Sequence, residues 1–108
     1  MSQADRVVPP TAGDVAEAVV AVPGVTGLYG GVFGEIATYL PGGRVNGVVL
    51  SDESAEVHII VDMTRDLHDV AISVRDVVRD LTGAPVIVII EDVTVGSDQV
   101  GATGGAQR

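Results

Sequence analysis

The residues able to do acid–base, metal or nucleophilic chemistry are few in this chain, and their spacing does not favour it. His58 and His68 lie close in sequence to Asp62, Asp66 and Asp69. A metal ion would need three or four such side chains converging on one point. On an extended segment His58 and Asp62 are roughly 13 Å apart by strand rise, and His68 belongs to the next element. These residues therefore read as a solvated strand face and a charged helix start. Glu91 and Asp92 are adjacent in a stretch that reads as strand, so they should point to opposite faces, and Glu35 is a lone carboxylate. None of them makes a pair for general acid–base work. Ser51, Ser54, Ser73 and Ser97 have no GxSxG context. The absence of Lys excludes a lysine Schiff base and a Walker-type phosphate loop. The absence of Cys excludes thiol catalysis, thiolate zinc sites and disulfides. No enzyme, cofactor or metal site is expected from this inventory.

What stands out instead is one block, Val22 to Val48, VPGVTGLYGGVFGEIATYLPGGRVNGV. It holds eight of the 14 glycines and every Phe and Tyr of the chain. Tyr29, Phe33 and Tyr39 cluster around the glycines, with Glu35 among them. Arg44 follows a Pro-Gly-Gly turn and is the only cation between Arg6 and Arg65. Rings clustered this way are the ingredients of a stacking platform or of a protein-binding hot spot. The plainer reading is that the rings fill the space glycine leaves. GLYG (Gly27 to Gly30) and GVFG (Gly31 to Gly34) formally match the GxxG loop of KH-type RNA binders. Their inner residues are apolar, no cation is adjacent and their flanks read as strand, so a bulged or tightly packed strand is the better reading.

The elements that must hold this block follow from the hydrophobic pattern. Pro9 and Pro10 mark the end of a flexible arm over residues 1–10. Thr11 or Asp14 can cap a short helix whose stripe is Val15, Ala18, Val19 and Val22, stopped by Pro23-Gly24. Val25 to Val32 reads as a glycine-interrupted strand. Ile36, Thr38 and Leu40 alternate weakly, as a short edge strand does. Val45 to Leu50 and Glu56 to Met63 read as a hairpin about the polar turn at Asp52 to Ser54. In the second of these strands Val57, Ile59, Val61 and Met63 share one face, and Glu56, His58, Ile60 and Asp62 the other. Asp66 caps a longer helix, Leu67 to Leu81, with the stripe Leu67, Val70, Ala71, Val74, Val78 and Leu81, ended by Gly83. Val86 to Val93 is the last strand, and its continuous apolar start suggests a central, covered position. Residues 96–108 read as a disordered tail.

The expected fold is therefore α+β, in the order α-β-β(-β)-α-β. It is a small mixed sheet of three or four strands with both helices on one face, forming a single domain over residues 11–95. The strand–helix–strand unit at the end predicts a right-handed, parallel crossover. Ile60 on one sheet face and Ile72 on the outer side of the long helix suggest a second, partly apolar surface.

Charge narrows the partners. Fifteen acidic residues against six Arg give a formal net charge of −9. That disfavours nucleic acid, whose backbone calls for clustered cations, and bare anionic lipid. No apolar run exceeds five residues, as in Val86 to Ile90, far too short to span a bilayer. No basic segment followed by an apolar one precedes Pro9, so a cytoplasmic location is expected, without direct membrane insertion.

The order of VPGV, TGLYGG, FGEIATYLPGGRVNGVVL, EVHIIVD, DVAISVRDVVRDLTG and VIVIIEDV resembles the alkaline shock protein family of envelope stress response proteins, in its short actinobacterial form. GEIATYLPGGRVNGV, Gly34 to Val48, is the most specific piece. The chain departs from the family pattern at Gly43, where a second cation is common, and over Met63 to Leu67, where Tyr or Pro is common. The resemblance implies a non-enzymatic envelope stress response protein, a scaffold or adaptor that contacts other proteins. It implies recruitment to the inner face of the membrane by a membrane-anchored partner, and self-association into a homo-oligomer. The surface expected to carry partner contacts is Tyr29, Phe33, Glu35, Tyr39 and Arg44. The order of elements is also similar to KH-like modules, which makes an RNA- or ribosome-associated role the alternative.

Overall fold

The chain is described over residues 9–95 by a computed structural model. The expected arm over 1–10 (Pro9 and Pro10 apart) and the expected tail over 96–108 lie outside the described residues. Helix α1 spans Ala12–Val20. Of the two capping residues the sequence allowed, Thr11 takes the N-cap, and Asp14 completes a reciprocal capping box. The Thr11 hydroxyl accepts from the Asp14 N–H at 3.1 Å, and the Asp14 carboxylate accepts from the Thr11 N–H at 2.9 Å. Its stripe buries Ala12, Val15 and Val19, with Val22 just beyond.

Five strands follow: β1 (Val25–Leu28), β2 (Ala37–Leu40), β3 (Gly43–Asn46), β4 (Val48–Leu50) and β5 (Ala55–Asp62). Helix α2 (Leu67–Thr82) and strand β6 (Val86–Thr94) complete the chain. Asp66 caps α2 by accepting from the Asp69 N–H at 3.0 Å, and the helix ends in a left-handed Gly83. The core is one cluster in which Val15 and Val19 of α1 and Val70, Val74 and Val78 of α2 meet Val57, Ile59 and Val61 of β5. Both helices therefore lie on the same face of the sheet, as expected, and the fold is α+β.

Strand β5 is the centre of the sheet. On one side it pairs antiparallel with β1 along its second half (Leu28 opposite Ile59) and with β4 along its first half (Leu50 opposite Ala55). On the other side it pairs in parallel with β6, from Ala55 opposite Val86 to Asp62 opposite Thr94. The expected β4–β5 hairpin and the parallel crossover through α2 are both present. The position expected for the last strand is corrected: β6 lies at an edge, not at the centre. Its apolar run reflects packing of Val86, Val88 and Ile90 on the core, while Ile87 on the opposite face is 49% exposed.

Two further expectations are corrected. The strand read over Val25 to Val32 ends at Leu28, and its register shifts between Val25 and Gly27. The strand read over Val45 to Leu50 is divided. Its first part joins β2 in a separate antiparallel ribbon, with Tyr39 opposite Arg44, and its second part enters the main sheet as β4. Gly47 makes the division. It sits at φ 82°, in the left-handed region, and a Cβ there would stand 2.8 Å from the Leu28 Cβ and 3.1 Å from the His58 carbonyl oxygen. Its N–H donates to Ile36 (2.8 Å) and its carbonyl accepts from the His58 N–H (2.8 Å), which joins ribbon to sheet. Thr38 is a second tie. Its hydroxyl donates to the Val48 carbonyl at 2.6 Å and accepts from the Leu50 N–H at 3.2 Å, so the ribbon covers the outer edge of β4.

Candidate functional site

The loop from Tyr29 to Ile36 is closed by its own hydrogen bonds. The Ile36 N–H donates to the Gly30 carbonyl (2.9 Å) and the Gly34 N–H to the Gly31 carbonyl (3.2 Å). The Glu35 carboxylate turns back and accepts from the Phe33 N–H at 2.9 Å. Arg44 reaches across from β3 and donates through Nη1 to the Gly34 carbonyl at 3.2 Å. Its guanidinium lies directly over Gly34, where a Cβ would stand 2.8 Å from Nη2, and Gly34 is at φ 75°. Any larger residue at position 34 would displace the arginine.

These bonds fix the backbone but leave the rings in solvent. Phe33 is 91% exposed and Tyr39, opposite Arg44 on the ribbon, is 70% exposed; Val32 adds to the apolar surface. Of the five residues expected to form a partner surface, the structure brings Phe33, Glu35, Tyr39 and Arg44 together around Gly34. Tyr29 stands apart. It is half-buried, and its N–H continues the β1 ladder by donating to the His58 carbonyl at 2.9 Å. The two GxxG stretches join strands β1 and β2, not two helices. The reading that the rings fill space left by glycine does not hold for Phe33 and Tyr39. Covering an exposed Phe is worth about 2 kcal/mol, and rings this size dominate the energetics of many interfaces.

A second cluster escaped the sequence reading. His58, expected on a solvated strand face, is 6% exposed. Its Nδ1 lies 2.6 Å from Glu91 Oε2 and its Nε2 2.6 Å from Glu56 Oε2. Burial of the ring lowers its pKa, but the hydrogen bonds and charges of Glu91 and Glu56 outweigh this and hold it above the ordinary 6.5. The protonated ring donates through both nitrogens, which leaves no lone pair for a metal or a substrate proton. Asp62 is not part of this cluster. Its carboxylate accepts from the Thr64 N–H and hydroxyl at 2.9 and 2.8 Å, which lowers its pKa. Among the described residues no group of three or more His, Cys, Asp or Glu side chains converges as metal ligands would.

The expected alternation of Glu91 and Asp92 is interrupted at Asp92 for an identifiable reason. The β5–β6 ladder pairs Ile59 with Ile90 and then Ile60 with Asp92, so Glu91 is an extra residue at a bulge. Glu91 follows Ile87 and Ile89 on the face that carries His58, because Ile89 pairs with His58, and the bulge brings Asp92 rather than Glu91 opposite Ile60. The spacing of Glu56 and His58, two apart on one strand face, was the signal available in the sequence; the third member depended on the register of the β5–β6 pairing, which no local pattern announces.

No family model and no curated protein sequence matches the chain. Among solved structures it is similar to MamM V260R, at 18% identity over 98% of this chain and 99% of that chain, with a TM-score of 0.45. No residue's role is carried across from that likeness. Among the described residues no helix is long and apolar enough to cross a membrane.

Proposed function

We propose that this protein is a non-enzymatic adaptor or scaffold that binds a protein partner through the ribbon surface formed by Phe33, Tyr39, Glu35 and Arg44. The observation that carries this reading is the exposure of Phe33 and Tyr39 on a loop closed by hydrogen bonds. The backbone conformation is already fixed, so a partner that covers the rings meets a low ordering cost. Arg44 and Glu35 flank the rings and supply polar contacts at the rim.

The resemblance of Gly34 to Val48 to the alkaline shock protein family gives the biological setting of the proposal. The chain acts in the envelope stress response, in the cytoplasm, and is held at the inner face of the membrane by a membrane-anchored partner. The high negative charge fits recruitment by a protein better than adhesion to anionic lipid.

Affinity capture of the tagged protein from its native host tests this, with nuclease treatment and separate membrane and soluble fractions. An integral membrane protein that is retained after nuclease and lost with Phe33→Ala or Tyr39→Ala is the expected result. Recovery of ribosomal proteins that disappear on nuclease treatment would replace the proposal with the RNA-associated reading.

A further inference from the structure

The two edges of the main sheet are treated differently. The edge at β4 is covered by Thr38, whose hydroxyl bonds both the Val48 carbonyl and the Leu50 N–H. Among the described residues no strand pairs with the outer edge of β6, the longest strand of the fold. An apolar, unpaired edge of this length is a template for another strand. Charges and bulges are the usual guards of such an edge. Here they stand only at its far end, where Glu91 sits at the bulge next to Asp92. Val86 to Ile90 is unguarded.

The direction of the main-chain groups follows from the β5 ladder. The Ala55 N–H donates to the Pro85 carbonyl at 2.9 Å, so Pro85 faces β5. By the alternation of a parallel ladder Ile87 and Ile89 do the same, and the N–H and C=O groups of Val86, Val88 and Ile90 point outward. The run VIVII is its own complement about Val88. In an antiparallel pair of two copies, Val88 faces Val88, Val86 faces Ile90, and Ile87 faces Ile89. The three outward-pointing residues then fall on hydrogen-bonded positions, for about six main-chain bonds across the seam. The same register places Glu91 and Asp92 beyond the paired stretch, so no carboxylates oppose each other there.

Beside this edge α2 offers a matching groove, lined by His68, Ala71, Ile72, Arg75 and Val88. None of these side chains is a carboxylate, although Arg75 lies 3.6 Å from Asp76, so two copies of a chain of net charge −9 need not oppose acids within the groove. We infer that the free edge of β6 binds a second copy of this chain, antiparallel about Val88, with the two α2 helices flanking the seam through Ile72. The two main sheets then become one continuous sheet. This inference does not depend on the ribbon surface, which lies on the other side of β5.

The test uses the full chain, by sedimentation from micromolar to millimolar concentration and by amide hydrogen exchange over the same range. A dimer is expected whose Val86, Val88 and Ile90 amides exchange more slowly as association rises. Ile87→Lys, on an exposed face of the edge, should weaken the dimer by about tenfold or more and leave the unfolding transition in place. Ile72→Glu, on the helix, should do the same by a route that does not touch the sheet, which keeps the question open to test if Ile87→Lys misfolds. A wild-type chain that stays monomeric across the range overturns the inference, and so does a dimer whose three edge amides exchange freely. Edge amides protected in a strict monomer would overturn it as well, because the edge would then be occupied within one chain.

Discussion

The Nδ1 atom of His58 lies 2.6 Å from Oε2 of Glu91, a residue 33 positions later in the chain. The contact ties the central strand to the last one across a parallel ladder, at the point where that ladder is bulged. Glu56 grips the other ring nitrogen from within β5. A buried imidazole held this way stays charged where a free one would lose its proton, and this has a measurable consequence for stability.

The folded chain holds the His58 proton more tightly than the unfolded chain does, because the native pKa is raised. The native state therefore binds more protons, and this contribution falls as pH rises. It is complete below about pH 6.5, the unfolded value, and is lost as pH passes through the higher native value. Thermal midpoints are expected to decline over that interval. In the double variant Glu56→Gln/Glu91→Gln the burial of the ring remains without the carboxylates, so His58 should titrate below its ordinary value and the slope from this residue should reverse. Proton NMR of the ring reads both values directly. A wild-type His58 that titrates at or below the free imidazole would refute this account.

Gly47→Ala should be among the most disruptive small substitutions in the chain. It demands a left-handed backbone from alanine and drives a methyl group against Leu28 and the His58 carbonyl. A loss of about 3 kcal/mol is expected from strain and overpacking together, read as a shift in the urea midpoint with an unchanged slope.

Thr38→Val keeps the shape of the side chain but removes the hydroxyl that serves both Val48 and Leu50. Leaving those part-buried groups without a partner should cost about 1–2 kcal/mol. Hydrogen exchange should quicken at Leu50 and across the ribbon, while the amides between β5 and β6 stay as they were.

Phe33→Ala and Tyr39→Ala should leave stability within about 0.5 kcal/mol of wild type, as surface changes usually do. Both rings are mostly in solvent, so any loss of partner capture in these variants is a loss of contact and not of fold. A large drop in the unfolding midpoint of either variant would contradict the exposed placement of its ring.

Much of this fold is legible in the sequence because its signals are local. The stripe Val70, Val74 and Val78 and the caps Asp66 and Gly83 define α2 without reference to anything else, and Thr11 with Asp14 does the same for α1. The alternation of Val57, Ile59 and Val61 fixes which face of β5 meets the helices. The misreadings occur where distant contacts decide. Gly47 reads as one more strand residue until the Ile36 and His58 main chains are placed on either side of it. The edge position of β6 follows from the pairing partners of β5, not from the residues of β6. For the candidate site, composition singled out the block Val22 to Val48, and within it the fold gathers Phe33, Glu35, Tyr39 and Arg44 around Gly34. Tyr29 was grouped with them by proximity in the chain, but the β1 ladder holds its backbone instead. Glu91 joined His58 through the parallel pairing of β6 with β5, which sets Ile89 opposite His58 and leaves no mark in either strand's own sequence.

Strands β1 and β4 share one flank of β5 end to end, and everything from Tyr29 to Gly47 is an excursion between them. The row that closes the core would be continuous without that excursion. The ribbon is therefore expected to act as a foldon of its own, opening at a free energy below that of global unfolding about Gly47 once the Thr38 bonds break. Its outward residues Phe33 and Tyr39 can change without disturbing the valine core, whereas Val45, Thr38 and Gly47 tie the ribbon to it.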